Sequence, residues 1–315
     1  MRIIVSGSLA YDRIMDFPGR FREHILPDKI HLLNVSFVLE KFAEKFGGTA
    51  GNIAYNLRLL DEHPAVIGAV GRDFRPYFQH LSILDIDTRH IKSFNDEYTA
   101  VAHIITDLDD NQISAFYPGA GKRGSEIDMH PDLKKKDNLL IVSPSSPAEM
   151  IKRCLEASQA GMKYIFDPAQ QLTAFSAQDL AECAQGAFLL VFNDYEWQFF
   201  KSKTNLDLND FTAKNQLVVV TQGEEGSTIY TPKETYDIPA ARCPQVADPT
   251  GAGDAYRAGL ALAIKNGWDW PTTGRAAATI ASFAVEEYGT QEHKFGVDGF
   301  NERYFKNFGE KSPLA

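Results

Sequence analysis

Four apolar runs from residue 139 onward, Leu139–Val142, Tyr164–Phe166, Phe188–Phe192 and Leu217–Val220, constrain the fold more than any other feature of the chain. Each is too short for a helix and lacks the polar–apolar alternation of a strand with one wet face, so it suits a strand buried on both sides. The segments between them have helical character. Strands covered on both faces and alternating with helices imply an α/β protein with a doubly wound, mostly parallel sheet flanked by helices. Every run also ends on a polar residue: Ser143, Asp167, Asn193 and Thr221. In an open parallel sheet those ends share one edge, and ligands bind along it. One polar residue after a strand carries no weight, but four in series predict a cleft.

The N-terminal part is less regular. Ile3–Gly7 and Ala65–Gly71 read as strands, the first running into Ser8-Leu9-Ala10-Tyr11-Asp12. Asp12 is either a ligand contact past a strand end or a turn residue. Residues 16–32 lack periodicity and read as an excursion, and Asn34–Leu39 alternates as a strand. Thr99–Thr106 and Gln112–Tyr117 flank Asp107-Leu108-Asp109-Asp110-Asn111, a hairpin signal. Together these segments are expected to form a small β-sheet lid, from about 12–40 and 95–118, on a single domain spanning 1–315. Phe17, Phe21, Phe37 and Phe116 fall within it, and they either stack on a base or simply pack. Further on, Ser227–Thr231 and Thr235–Ile238 read as a hairpin, Ala276–Val285 as a closely packed helix and 297–308 as a terminal helix.

Two glycine-rich turns each open a helix. Gly47-Gly48-Thr49-Ala50-Gly51-Asn52 leads into an apolar stripe of Ile53, Ala54, Leu57 and Leu60. It lacks the Gly-Lys-Ser/Thr of a Walker A loop, and Asn52 either holds a hydroxyl or caps the helix. Asp248-Pro249-Thr250-Gly251-Ala252-Gly253-Asp254 precedes the small apolar residues Ala255, Ala258, Gly259, Leu260, Leu262, Ala263 and Ile264. A helix starting there points unpaired N–H groups and the positive end of its dipole outward, which suits a phosphate. Asp254 is the anomaly: a carboxylate repels an anion unless its task is to take a proton from the group attacking that phosphate. Asn193 and Glu196, three residues apart at another helix start, suit a hydrated metal or phosphate, and equally a capping box. The glycine-flanked loop Thr221-Gln222-Gly223-Glu224-Glu225-Gly226 would border a nucleotide.

A net charge of −10 and a pI near 5.3 argue against nucleic acid or an anionic membrane as partner. Cys154, Cys183 and Cys243 lack metal-ligand spacing and read as free thiols. The sequence opens on the strand-like Arg2–Gly7 rather than a signal segment and has no run long enough to span a membrane, so a cytoplasmic location is the expectation.

With these motifs in place, the chain resembles the ribokinase (PfkB) family of carbohydrate and nucleoside kinases. Gly47–Asn52 and Asp248–Ala255 look like its two signatures, in the right order and separation, and the resemblance covers nearly the whole chain. Asn193-x-x-Glu196 and Thr221-x-Gly223-x-x-Gly226 are similar to further family motifs. Ser8–Asp12, the insertion Gly19–Pro27, Asn111-Gln112, Tyr117–Ala120 and Gly289-Thr290-Gln291 resemble bacterial adenosine and broad nucleoside kinases more than ribokinases. The resemblance implies a ribokinase-like fold with a lid, and ATP-dependent phosphorylation of a nucleoside, most of all adenosine, at its 5′-hydroxyl. It assigns Asp254 as base and Gly251, Ala252 and Gly253 as the anion hole. Ser8, Asp12, Gly47, Gly48, Asn52, Gln112 and Phe116 would contact the nucleoside, with Asp12, Gly48 and Asn52 on the ribose hydroxyls. Asn193, Glu196, Thr221, Gly223 and Gly226 would line the ATP side. Glu196 would hold Mg²⁺ through water, and Asp248 a monovalent cation such as K⁺. Partners would be nucleoside and ATP, and the assembly a monomer or a lid-mediated homodimer. The chain departs from the pattern at Arg75, where a glycine is usual, and at Asp167-Pro168-Ala169-Gln170, where Asp-Pro-Asn is common.

Three alternatives stand beside this. Gly119-Ala120-Gly121-Lys122-Arg123-Gly124 satisfies the dinucleotide pattern but lacks the strand–helix context of a dehydrogenase. A non-catalytic binding protein on the same fold would be expected to lose Asp254. A family kinase acting on a free sugar such as ribose is the alternative substrate reading.

Overall fold

The computed structural model describes residues 1–25, 32, 34–109 and 111–314. The far end of the insertion expected at 19–27 lies outside them. Numbered along the chain, the strands are β1 (Ile3–Ser6), β2 (Ala10–Asp16), β3 (Lys41–Gly47), β4 (Ala65–Gly71), β5 (Asp87–Phe94), β6 (Ala100–Thr106), β7 (Gln112–Tyr117), β8 (Leu139–Val142), β9 (Lys163–Phe166), β10 (Leu189–Asn193), β11 (Leu217–Thr221), β12 (Ser227–Tyr230) and β13 (Thr235–Ile238). The helices are α1 (Phe21–His24), α2 (Thr49–Arg58), α3 (Arg75–Ile83), α4 (Pro147–Gln159), α5 (Ala177–Gly186), α6 (Asp194–Thr204), α7 (Leu208–Thr212), α8 (Ala252–Asn266), α9 (Trp270–Ala284) and α10 (Val297–Phe308).

Nine strands form one sheet in the order β13-β12-β11-β10-β9-β8-β1-β4-β5. It is parallel from β5 to β11, and the antiparallel hairpin β12–β13 closes one edge. The four apolar runs form β8 to β11, with side chains alternating between two cores. Ile141, Ile165, Val191 and Val219 face α2, α3, α8, α9 and α10, while Leu140, Phe166, Phe192 and Val220 face α4 to α7. The order of strands reverses at β1, whose neighbours are β8 and β4. A crevice therefore opens past the carboxyl ends of β1 and β8.

The other four strands form a separate sheet in the order β3-β2-β6-β7. The strand expected at Asn34–Leu39 is not formed, and the one that pairs is Lys41–Gly47. Val35, Phe37 and Leu39 are half-buried between exposed Asn34, Ser36 and Val38, but the segment pairs with no strand and packs as a loop, Phe37 against Phe17 and Phe21. Lys41–Gly47 instead runs in unbroken antiparallel register against all of β2, from Asp16↔Lys41 to Ala10↔Gly47. The excursion after β2 brings Phe17, Phe21 and Phe37 together, with ring centroids 4.7 to 5.7 Å apart. These three rings pack on one another rather than offering themselves to a ligand. Asp107 ties the β6–β7 turn to this cluster by accepting N–H bonds from Phe21, Asp109 and Asn111.

Gly119–Glu126, which carries the dinucleotide-like pattern, is a 3₁₀ helix packed beside α4. The carboxylate of Glu149 fills the place where a Cβ on Gly124 would stand, so the glycines there serve packing.

Candidate active site

The site is built where two helix starts meet the carboxyl edge of the large sheet. α8 begins at Gly251, whose φ of 85° is left-handed and available at little cost to glycine alone. Ala252 N–H turns back to the Pro249 carbonyl at 3.3 Å, whereas Gly253 and Asp254 N–H find no backbone acceptor among the described residues. These are the outward donors of a helix N-terminus. α2 begins at Gly48, with φ also 85°. A Cβ at Gly48 would meet the Ser8 carbonyl and the Ala10 nitrogen at 2.6 and 2.7 Å, where the chain passes from β1 into β2.

Asp254 and Asn52 join the two helix starts: Asn52 Nδ2 donates to Asp254 Oδ2 at 2.8 Å. The amide of Asn52 is itself oriented from behind. Gln291 Nε2 donates to Asn52 Oδ1 at 3.0 Å and to the Tyr77 hydroxyl at 2.6 Å, and Tyr77 donates to the Gly47 carbonyl at 2.9 Å. His80 Nε2 meets Gln291 Oε1 at 3.0 Å. Burial pushes Asp254 up to about 6, with nearby Asp12 adding to the rise and Arg257 and Asn52 opposing it. Asp12 is likewise raised to about 6 by burial and by Asp248. At neutral pH Asp254 is mostly ionised, yet it holds a proton better than an exposed aspartate, a combination suited to a general base.

The register of the small sheet puts Asp12, Ala102 and Phe116 in one cross-strand row, on the same face. Gln112 is not brought to this group. It pairs with Thr106, in the row of Asp16, four residues and roughly 13 Å further along the sheet. The hydroxyl of Ser8 accepts the Thr49 N–H at 3.0 Å and so caps α2. Asn193 and Glu196 form a capping box: Asn193 Oδ1 accepts Glu196 N–H at 2.7 Å, and Glu196 Oε2 accepts Asn193 N–H at 2.8 Å. Thr221 ends β11 beside Asn193 at the end of β10, and Gly223 and Gly226 follow it with φ of 60° and 100°. Asp248 ties two loops together, accepting N–H bonds from Thr250 at 2.9 Å and Gly289 at 3.2 Å.

Tyr77 and Gln291 are not among the residues that the sequence places at the site, nor is the buried pair Asp167–Arg257. Asp167 carries a signal as one of the strand-end polar residues, and Arg257 lies just beyond the Asp254 motif. Gln291 is marked by the Gly289-Thr290-Gln291 resemblance, while Tyr77 has no signal beyond its place on a helix. Among the described residues no cluster of three or more His, Cys, Asp or Glu side chains could hold a metal ion, and no helix is long and apolar enough to cross a membrane.

A parallel α/β sheet with a separate small sheet, and a carboxylate set among helix-start N–H groups at the sheet edge, define a kinase of the ribokinase fold. The profile of the pfkB family of carbohydrate kinases matches residues 15–294, and the chain belongs to that family. It is 32% identical over 276 residues to the nucleoside kinase of Methanocaldococcus jannaschii, a match covering 87% of this chain and 90% of that one. The structure of Burkholderia thailandensis nucleoside kinase in complex with inosine superimposes with a TM-score of 0.87 at 37% identity, over 98% of this chain and 99% of that one. The ADP–inosine complex of the same enzyme gives a TM-score of 0.85 at 38% identity, over 98% and 97% of the two chains.

Proposed function

We propose that the protein is an ATP-dependent nucleoside kinase that transfers the γ-phosphoryl group to the 5′-hydroxyl of a nucleoside, with adenosine the foremost candidate. The observation that carries this reading is Asp254, held by Asn52 beside the outward N–H groups of α8. Asp254 removes the hydroxyl proton as the 5′-oxygen attacks the γ-phosphorus, the bond to the β,γ-bridging oxygen breaks, and ADP leaves. The Gly253 and Asp254 N–H groups stabilise the charge spread over the transferred phosphoryl oxygens. Asp12 and Asn52, with the backbone at Gly48, orient the ribose. The row containing Ala102 and Phe116 supplies a largely apolar face for the base, which suits a nucleoside better than a free sugar.

ATP would enter along Asn193, Thr221, Gly223 and Gly226. Glu196 keeps one carboxylate oxygen outside its capping box, so a hydrated Mg²⁺ fits there, where the ion would offset phosphate charge. Asp248 braces the two loops behind the anion hole and would be the carboxylate facing a monovalent cation. The test is an ADP-release assay across adenosine, inosine, guanosine, cytidine and ribose. Adenosine turned over with the highest kcat/KM supports the proposal, inosine or guanosine ahead of it corrects the base preference, and ribose ahead of every nucleoside overturns the substrate class.

A further inference from the structure

Arg257 lies on α8 one turn beyond Asp254, on the same side of the helix. It is 7% exposed, and Asp167, just past β9, is 1% exposed. The two side chains pair at two points, with Arg257 Nη2 donating to Asp167 Oδ1 at 2.7 Å and Nε against Oδ2. That bond, with the Nε–Oδ2 contact beside it, anchors the guanidinium against Asp167. The third nitrogen, Nη1, is turned away from Asp167 and occupies the place where a Cβ on Gly253 would stand. The cation is thus wedged under the turn whose N–H groups face the cleft, and only glycine at 253 lets it approach.

We infer that Arg257, anchored by Asp167, is a positioning residue for phosphoryl transfer, its cation held under the Gly251–Gly253 turn one helical turn from Asp254. This rests on the reading of Asp254 as the base. The groups facing Asp254 are Asn52 from α2, Asp12 from β2, Tyr77 from α3, Asp167 past β9 and Arg257 from its own helix, and Arg257 is the cation among them. Asp167 pairs with the guanidinium directly, while Asp254 and Glu196 feel its charge through space. Burying an arginine against a single aspartate would give a neutral, inert pair. Placing it among three carboxylates leaves net negative charge around the cleft, and makes the cation the group on which the ionisation of Asp254 depends.

The experiment is the pH dependence of kcat/KM for the nucleoside, at saturating Mg²⁺-ATP, in wild type, R257Q, R257K and D167N. R257Q and D167N break the same salt bridge but change the field at Asp254 in opposite directions. R257Q is expected to move the acidic limb up by about one pH unit, a loss of about fivefold at pH 6 that approaches tenfold below pH 5 and recovers as the pH rises. D167N is expected to move the limb down, and R257K to restore most of the R257Q shift. A role confined to packing predicts lost activity in both with no displacement of the limb, so that result, or both limbs moving the same way, overturns the inference. Should R257Q fail to fold, D167N decides it: a downward shift supports, while an upward shift or none refutes. D254N run alongside separates the two claims, because wild-type turnover in D254N defeats the base assignment itself.

Discussion

Every side chain of β1, β4 and β8 is buried, whereas every side chain of β7 is exposed and β3 buries only Gly47. The large sheet gains apolar burial on both faces, at roughly 25 cal/mol for each Å² removed from water. The small sheet has the backbone pairing but little of that burial. Its hold comes from the Phe17–Phe21–Phe37 cluster, from the Asp107 turn, and from the Tyr11 and Phe46 rings resting against Tyr77. Regions with few buried contacts open at lower free energy than the core. Asp254 and the N–H groups beside it therefore stand on the part of the molecule that is costly to deform, and Asp12 and Phe116 on the part that is cheap to move. Phosphoryl transfer needs fixed geometry at the first and admission of substrate at the second.

That division can be broken most directly at Asp254. Asp254→Asn is expected to lower kcat by at least about a hundredfold while leaving the nucleoside KM within a few-fold, measured by steady-state kinetics. The same substitution should stabilise the fold. With its pKa raised from 3.8 to about 6, the native aspartate binds its proton more tightly than the unfolded chain does, so wild type loses stability as pH rises through that window. D254N removes the loss, worth roughly 1–3 kcal/mol above pH 6, and thermal melts of the two proteins should converge near pH 4.

Gly48→Val attacks the joint between the sheets. Its positive φ and the backbone atoms around the missing Cβ leave no room for a side chain, and a destabilisation of about 1–3 kcal/mol is expected in urea melts. Asp107→Ala should act on the small sheet alone. Hydrogen exchange would speed up at Phe21, Asp109, Asn111 and along β6–β7, while amides of β8 to β11 keep their protection. Equal loss in both sheets would show that they unfold as one unit. The least effect is expected at Phe42, 63% exposed on β3, where Phe42→Ser should leave global stability within about 0.5 kcal/mol.

The same contrast accounts for what is legible in the sequence. β8 to β11 are readable because a continuous apolar run too short for a helix has little else to become than a strand covered on both faces, and α10 occupies the expected 297–308. Lys41–Gly47 is hidden because its lysines, its glutamate and the exposed Phe42 blur any apolar alternation, so the pattern at Asn34–Leu39 stands out instead. β5 is hidden for a related reason: an edge strand, Asp87–Phe94, carries Asp87, Arg89, His90 and Lys92. At the site, motif residues are readable and their supports are not. Asn52 and Asp254 stand in recognisable strings, but Tyr77 reaches them from α3 and Gln291 from beyond α9, and only the fold brings these together. The departure at Ala169 has a visible counterpart as well: this alanine adopts a φ of 39°, a region that asparagine tolerates better.

The line running from Gly47 through Tyr77, Gln291 and Asn52 to Asp254 has a sense of direction. It ends on an acceptor at each side, a backbone carbonyl and a carboxylate, so every hydrogen between them has one arrangement available. Turning either amide over would set oxygen against oxygen. The protein thus settles the proton order behind Asp254 before any reactant arrives. Loss of the Tyr77 hydroxyl would take one of two acceptors from the Gln291 amide, while the carboxylate would still dictate which way Asn52 faces.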